Sequence, residues 1–455
     1  MERKLFGTDG IRGVAGEPPL DARTAFAVGL ALGEFARHLD AEPAVLIGMD
    51  TRESGPWLAA SVAGGLDAQG VRCHFAGVLT TPGVAYLTRT GRYVAGVMIS
   101  ASHNPFQDNG IKIFSHAGLK FPDEREGLLE QSIQQFLGSD APAPPIELQE
   151  DRAFDEQYMG FLASTMPAGL GGIRIVVDGG NGSASALGPE VLRRLGAEVV
   201  TIHCQPSGRN INLHCGALHL DSLREAVVRE KAHLGVAFDG DADRALFVDA
   251  GGNIVDGDGV LYLCGLHFKE RNRLHAASGL PAVVATVMSN LGLEVALRDA
   301  GVGLLRTAVG DKYVLQEMLA SDLLLGGEQS GHIIFREYAT TGDGILSCLR
   351  VLEIMRETGY SLEKLVENFA VFPQKLVNVR VRQKRPFAEM PSVQAEIEQA
   401  LEELGEAGRV LVRYSGTELL ARVMIEARHS EDVERLCARI AAAIEREIGM
   451  ESHPR

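Results

Sequence analysis

The chain has 455 residues, 45% of them hydrophobic and 23% charged, and a formal net charge of -16. This is ordinary globular material, long enough for roughly three domains with room for a fourth. Its acidic balance excludes a sequence-nonspecific nucleic-acid binder, which needs a basic surface. It leaves room for a small anionic ligand that feels only its own pocket. Cys73, Cys204, Cys215, Cys264, Cys348 and Cys437 are scattered without a CxxC pair, no leader-like segment precedes Phe6, and no apolar run reaches the ~18 residues of a membrane helix. The expectation is a cytoplasmic protein with reduced thiols and no membrane or nucleic-acid partner.

In chain order, 22–38 reads as a helix and 44–48 as a short buried strand. The apolar run 93–99 breaks abruptly into Ser100-Ala101-Ser102-His103-Asn104-Pro105, a strand opening into a loop. Ligands bind at the carboxyl ends of strands in open α/β sheets, so a reactive hydroxyl is expected there. A serine needs a base, a metal or a prior modification to react, and its partners must come from elsewhere in the chain. The stretch 138–145, with Pro142, Pro144 and Pro145, reads as a linker. Strands at 173–178, 234–239 and 282–286, with a helix at 223–231, continue an alternation that means βαβ units and largely parallel sheets.

The pattern changes near the C-terminus. Val410 to Tyr414 and Ala421 to Glu426 alternate like a half-exposed antiparallel pair joined by a Ser415-Gly416-Thr417 turn. Ser430 is the expected N-cap of a helix with Val433, Leu436, Ile440 and Ile444 on one face. The predicted class is α/β: three α/β domains with mixed or parallel sheets over 1–153, 154–253 and 254–368, then a smaller α+β domain over 369–455.

Four loops offer chemistry. Asp239, Asp241 and Asp243 alternate directly after a strand, and a divalent cation is the simplest relief of their mutual repulsion. The loop lacks the glycine and the glutamate of an EF-hand, because Arg244 and Ala250 stand at those positions, so Mg²⁺ is the better guess. The bland reading is a solvated acidic turn. In 326–332 (GGEQSGH), Glu328, Gln329, Ser330 and His332 supply the donors and acceptors that sugar hydroxyls need, although a glycine-rich turn is the plain alternative. Arg413, Ser415, Gly416 and Thr417 combine a guanidinium with a turn whose amides suit an anion, in competition with an ordinary Ser-Gly hairpin turn. Residues 6–13 (FGTDGIRG) add Arg12 in a glycine-rich loop.

Other readings are weaker. The loop 178–185 imitates a dinucleotide fingerprint, but Ser185 replaces its third glycine and no acid ends the next strand. The His203-Cys204 and His214-Cys215 pairs, with His219, lack the usual spacing of zinc ligands. Neither a GxSxG elbow nor a GxxxxGK[ST] loop occurs to support a hydrolase or a P-loop enzyme.

Taken in this order, the loops resemble the α-D-phosphohexomutase superfamily, most closely its bacterial members that act on glucosamine phosphate. The resemblance runs over nearly the whole chain: FGTDGIRG at 6–13, SASHNP at 100–105, NGIK at 109–112, FDGDADR at 238–244, VGDKYV at 309–314, GGEQSGH at 326–332, TTGDG at 340–344 and RYSGTE at 413–418. It implies a heart-shaped four-domain architecture and a phosphoserine at Ser102 that donates and regains a phosphoryl group. Asp239, Asp241 and Asp243, with the Ser102 phosphate, would hold one Mg²⁺. Arg12, Lys112 and Arg244 would surround that phosphate, with His103 beside it. Lys112 and His332 are both left as candidates for moving the hydroxyl proton. Gly310, Lys312, Glu328 and Ser330 would meet the sugar, and Arg413, Ser415, Gly416 and Thr417 the far phosphate.

The implied reaction converts glucosamine 6-phosphate to glucosamine 1-phosphate through a 1,6-bisphosphate that turns over in the site, helped by movement of the last domain. Such amino sugars feed cell-wall precursors. The resemblance leaves room for a homodimer. Within the superfamily, mannose and glucose phosphates are the alternative substrates, and Gln329 with the VGDKYV segment favours the amino sugar. A non-catalytic phosphosugar-binding protein would be expected to lack Ser102 or an aspartate, and all are present. A simple phosphatase would release phosphate without forming a sugar 1-phosphate.

Three departures stand out. Tyr414 and Leu419 replace prolines that flank the family's phosphate loop, which predicts a less rigid loop. Lys312 stands where arginine is common, giving a point charge in place of a fork. Ala242 stands where glycine is frequent, with little consequence if its φ is negative.

Overall fold

One strand order recurs three times along the chain. In the first sheet Ala44–Met49 pairs in parallel with both Arg72–Val78 and Ala95–Ile99, and Asp108–Ser115 returns antiparallel beside Ala95–Ile99. Arg174–Asp178, Glu198–Ile202, Leu234–Phe238 and Ala245–Asp249 repeat the plan. So do Ala282–Thr286, Gly303–Thr307, Leu325–Gly327 and Ile333–Phe335. Two further strands, Phe6–Gly7 and Gly10–Val14, extend the first sheet, and Ile254–Val255 extends the second. The sheets are therefore mixed, and the largely parallel expectation describes only the first three of the four strands in each repeat.

The repeat has a functional consequence. A parallel pairing needs a long crossover, whereas an antiparallel return needs only a short loop. In each sheet the third and fourth strands are joined by such a loop: 100–107, 239–244 and 328–332. These are three of the loops that carry the polar motifs. Their leading strands Ala95–Ile99, Leu234–Phe238 and Leu325–Gly327 are buried at every position, so the polar residues start where the strand leaves the core.

This computed structural model describes residues 5–7, 9–138, 146–274, 279, 281–405, 408–415 and 419–450. Most of the predicted proline-rich linker, 139–145, lies outside them. The chain forms two compact units, one of 1–288 and 301–367, the other of 289–300 and 368–455. No helix among the described residues is long and apolar enough to cross a membrane. All six cysteines are free.

The second unit carries an antiparallel sheet in the order Gln374–Arg380, Leu420–Ala427, Gly408–Tyr414. Helix Ser430–Ile448 buries Val433, Leu436, Ile440 and Ile444, the face expected from their spacing. Its cap differs from expectation. His429 holds the N-cap position without a side-chain bond, and Ser430 is already helical. Helix Leu291–Asp299 belongs to this unit although its sequence falls between two strands of the third sheet. Asn290 explains this: its amide oxygen accepts the N–H groups of Phe372 and Gly292, and its Nδ2 donates to the Phe372 carbonyl at 3.0 Å.

Candidate active site

Ser102 lies just past the buried strand Ala95–Ile99, only 1% exposed, with φ at +52°. Its Oγ donates to Asp239 Oδ2 at 2.6 Å and lies 3.4 Å from His103 Nδ1. Burial, then Arg244 and Arg12, holds the His103 pKa below its ordinary value. The hydroxyl reaches Asp239 because the first and second sheets present equivalent loops to each other.

Asp239, Asp241 and Asp243 are buried, and each places a carboxylate oxygen within 4.8 Å of the others. Burial, then Asp243 and Asp241, pushes the Asp239 pKa up. Asp241 Oδ2 accepts from Thr81 Oγ1 at 2.5 Å and from Lys112 Nζ at 2.8 Å. Asp241 Oδ1 and Asp243 Oδ1 are buried without a hydrogen-bond partner. Two orphaned carboxylate oxygens beside a third carboxylate form a hard, all-oxygen donor set, which fits Mg²⁺. Ala242 departs from expectation. Its φ is +57°, so a buried alanine occupies the left-handed turn that glycine would take without strain.

Lys112 enters this cage from strand Asp108–Ser115 and is 1% exposed. It lies 3.1 Å from Asp9 and 3.6 Å from Asp243 in addition to its bond to Asp241. Burial opposes its charge, but Asp241, Asp9 and Asp243 outweigh that and raise its pKa. Asp9 also pairs with Arg12 and Lys120, and Lys120 continues to Asp311 at 2.7 Å. His332 closes the chain, with Nδ1 at 3.6 Å from Asp243 and Nε2 at 3.7 Å from Asp311. The Gly342 N–H donates to His332 Nε2 at 2.8 Å, which places the imidazole proton on Nδ1, facing Asp243. Burial opposes a second proton, whereas Asp243 and Asp311 favour one. The Gly342 amide, which needs the Nε2 lone pair, opposes it as well.

A cleft of about 470 Å³ opens beside these groups, lined among others by Arg244, Asp256, Thr286, Glu328, Gln329 and Ser330. Arg244 Nε lies 3.7 Å from Asp243 Oδ1, and its backbone N–H donates to Asp239 Oδ1 at 3.2 Å. Glu328 Oε1 accepts the Gly310 N–H at 3.1 Å, and Ser330 Oγ donates to Glu328 Oε2 at 3.4 Å. Lys312 lies elsewhere: its Nζ meets Asp123 Oδ1 at 3.0 Å and sits over the Tyr313 ring.

In the C-terminal unit, Arg413 is exposed at the end of strand Gly408–Tyr414, in register with Arg422. Ser415 is buried, and its carbonyl accepts from Lys384 at 2.6 Å. Gly416 and Thr417 lie outside the described residues. Tyr414, expected to loosen this segment, is anchored. Its OH donates to the Arg385 carbonyl at 2.6 Å, and its ring stacks on Phe387 at 4.4 Å.

The competing motifs are absorbed by the fold. In the glycine loop after Asp178, the Ser183 N–H donates to the Gly240 carbonyl and Thr51 Oγ1 donates to the Asn181 carbonyl. Asp178, His203 and Cys215 come together, but protein partners occupy them. Asp178 Oδ1 accepts the Gly180 N–H, Oδ2 faces His203 Nδ1 at 3.0 Å, and Asn181 donates to Cys215 Sγ. Burial pushes the Cys215 and Cys204 thiols up, to about 12 and about 11, away from the thiolate that zinc needs. His214 and His219 face each other, with ring centroids 5.6 Å apart.

Several residues escaped the sequence reading: Thr81, Lys120 and Asp311 in the charged network, and Asp50, Arg52 and Asn212, which bond the Ser102 loop. Asp50 and Arg52 follow strand Ala44–Met49 as Ser102 follows its own, and strand-end position is the signal that could have found them. Asp9 and Asp311 sat inside quoted motifs without an assigned role.

Comparison with known proteins agrees with this geometry. Models of phosphoglucomutase/phosphomannomutase α/β/α domains I, II and III match residues 3–137, 156–252 and 256–372, and the model of the C-terminal domain matches 376–443. The chain is 54% identical to the phosphoglucosamine mutase of Solibacter usitatus, covering 99% of this chain and 100% of that one. It is 45% identical to that of Deinococcus radiodurans, over 98% of both. A phosphoglucomutase/phosphomannomutase family protein from Burkholderia thailandensis has the same fold, with a TM-score of 0.80, 24% identity, and 98% of this chain and 99% of that one covered. Matched along four successive domains and by full-length relatives, the chain belongs to the phosphoglucomutase/phosphomannomutase family.

Proposed function

We propose that this protein is an isomerase that interconverts glucosamine 6-phosphate and glucosamine 1-phosphate, with Ser102 carrying the phosphoryl group. One observation carries the reading: the Ser102 hydroxyl sits 2.6 Å from Asp239 inside a buried cage of three carboxylates, with Lys112 beside them. The full-length relatives named phosphoglucosamine mutase support the amino sugar as substrate.

Phosphoryl transfer depends mainly on alignment and on neutralising spreading charge. Phosphoserine 102 would pass its phosphoryl group to a free sugar hydroxyl, giving a 1,6-bisphosphate. After the bisphosphate turns over, its other phosphoryl group would return to Ser102. Asp239, Asp241 and Asp243 would hold Mg²⁺, which when bound neutralises the phosphoryl oxygens. Arg12, Arg244 and Lys112 would add positive charge around the phosphate, with His103 flanking it. For the hydroxyl proton, Lys112 and His332 would be the two groups in reach, three carboxylates holding the proton on Lys112 and Gly342 occupying Nε2 of His332. Glu328 and Ser330 would grip sugar hydroxyls, with Gly310 fixing Glu328. Lys312 would reach the sugar only by leaving Asp123. Arg413, Ser415, Gly416 and Thr417 would take the far phosphate. The four domains would divide near residues 153, 253 and 368.

Side-by-side kcat/KM values for glucosamine, glucose and mannose phosphates test the substrate. The amino sugar should lead by tenfold or more. A preference for either neutral hexose would move the protein to the phosphoglucomutase/phosphomannomutase activity that names its family.

A further inference from the structure

Arg52 is the largest fully buried side chain among the described residues, and it is spent on the backbone of the Ser102 loop. Its Nε donates to Asp50 Oδ2 at 2.9 Å. Nη2 donates to the Ser102 and Asn104 carbonyls, both at 2.9 Å, and Nη1 to the carbonyls of Pro105 and, at 2.9 Å, Asp108. A guanidinium has five N–H groups in a fixed fork, and all five have an acceptor here. The loop is also held from the other side of Ser102. The Ser102 N–H donates to Ser100 Oγ at 2.9 Å, and Ser100 Oγ donates to Asp50 Oδ2 at 2.6 Å. Asn212, from the second sheet's side of the site, donates through Nδ2 to the same two carbonyls, of Ser102 at 2.9 Å and Asn104 at 3.1 Å.

We infer that Arg52 is a positioning residue for the reacting serine, working with Asp50, Ser100 and Asn212 to hold Ser102 in its left-handed conformation. A serine leaves φ +52° for ordinary backbone unless neighbouring groups fix it. Here its N–H is fixed by the Asp50–Ser100 relay and its carbonyl by Arg52 and Asn212. With the peptide groups on both sides locked, the Cα–Cβ bond is fixed in space, and one of its staggered rotamers brings Oγ to Asp239 Oδ2 at 2.6 Å. The clamp gathers carbonyls 102, 104, 105 and 108 onto one cation. Neither Arg52 nor Asp50 touches the site of transfer, so their effect must pass through Ser102. The inference rests on Ser102 being the phosphoryl carrier.

The test compares Arg52→Lys, Ser100→Ala and Asn212→Ala with wild type in the full chain. The readouts are kcat, KM and the single-turnover rate at which Ser102 takes phosphate from glucosamine 1,6-bisphosphate. Lysine has three donors for five acceptors, and a misplacement of about 1 Å costs on the order of 100-fold in rate. Arg52→Lys should therefore lower kcat and the Ser102 phosphorylation rate by 30-fold or more while KM moves less than threefold. Ser100→Ala and Asn212→Ala should each lower both rates about tenfold. A residue that only stabilises the fold would lower the melting temperature and leave kcat per folded molecule alone. Folded Arg52→Lys with kcat within twofold of wild type overturns the inference. If Arg52→Lys does not fold, wild-type rates in both smaller variants overturn it instead. Turnover by Ser102→Ala would be a different failure, that of the carrier assignment itself.

Discussion

Gly240 faces the carbonyl of Ser102 so closely that a Cβ at residue 240 would stand 2.5 Å from that oxygen. The loop holding the aspartates and the loop holding the serine thus touch through backbone, and the position admits only hydrogen. Neither side has a flexible side chain that can give way. Gly240→Ala should push the two loops apart, lowering kcat at least tenfold and stability by about 1–3 kcal/mol. Steady-state kinetics and a denaturant titration of the variant check both numbers. Unchanged kcat would mean that the contact is not part of the working geometry.

Two residues away the opposite substitution is expected to be benign. Ala242 holds a φ of +57°, where a Cβ costs about 1 kcal/mol and glycine costs nothing. Ala242→Gly should leave kcat within twofold and leave stability unchanged or raised by up to about 1 kcal/mol, the gain being limited by the greater freedom of glycine in the unfolded chain. Destabilisation beyond about 1 kcal/mol in the same titration would show that the buried methyl matters more than the backbone strain.

The orphaned oxygens of Asp241 and Asp243 give a prediction that does not depend on turnover. Mg²⁺ added to chelator-treated protein should raise its melting temperature, since a ligand at about 100 times its Kd stabilises the folded state by about 2.7 kcal/mol. Asp243→Asn should abolish most of that rise. Chelation should also remove activity, and Mg²⁺ should restore it. An equal thermal shift in wild type and variant would place the ion elsewhere.

Much of this site was legible in the sequence because phosphoryl chemistry gathers charged residues into short loops after strands, as at Ser102, Asp239 and Glu328. What escaped was the support. Arg52 acts on backbone carbonyls 50 to 56 residues later, and Lys120 joins Asp9 to Asp311. No local pattern announces a side chain whose partners lie that far along the chain. The threefold strand order was hidden for a similar reason: the antiparallel return strands Asp108–Ser115, Ala245–Asp249 and Ile333–Phe335 were not picked out as strands, and a single strand's pattern does not reveal its direction. Ser430 was misplaced by one residue, the ordinary uncertainty of a helix end. The anchoring of Tyr414 depends on Arg385 and Phe387, which a comparison of loop residues alone does not include.

Asp343 supplies a pH dependence. It caps helix Gly344–Thr358 by accepting the Leu346 N–H and takes the Tyr158 hydroxyl at 2.7 Å. Burial raises its pKa from the ordinary 3.8 to about 6. Because the folded value is the higher one, its contribution to stability is fully present below about pH 3.8 and is lost as pH rises through about 6. The loss is on the order of 3 kcal/mol for a shift of this size. Asp343→Asn keeps an oxygen for the cap and cannot ionise. Relative to wild type it should therefore be more stable at pH 7 than at pH 4.5. Urea midpoints of both proteins at the two pH values measure this, and a difference that does not change with pH would refute it.

The central claim is that Ser102 carries the phosphoryl group. Its most direct test is intact-mass and peptide analysis of the protein after incubation with glucosamine 1,6-bisphosphate and Mg²⁺, paired with turnover of glucosamine 6-phosphate. One phosphate, located on Ser102, should accompany activity, and Ser102→Ala should neither gain the phosphate nor form glucosamine 1-phosphate. Near-normal turnover by Ser102→Ala, or full activity with the phosphate on another residue, would contradict the account.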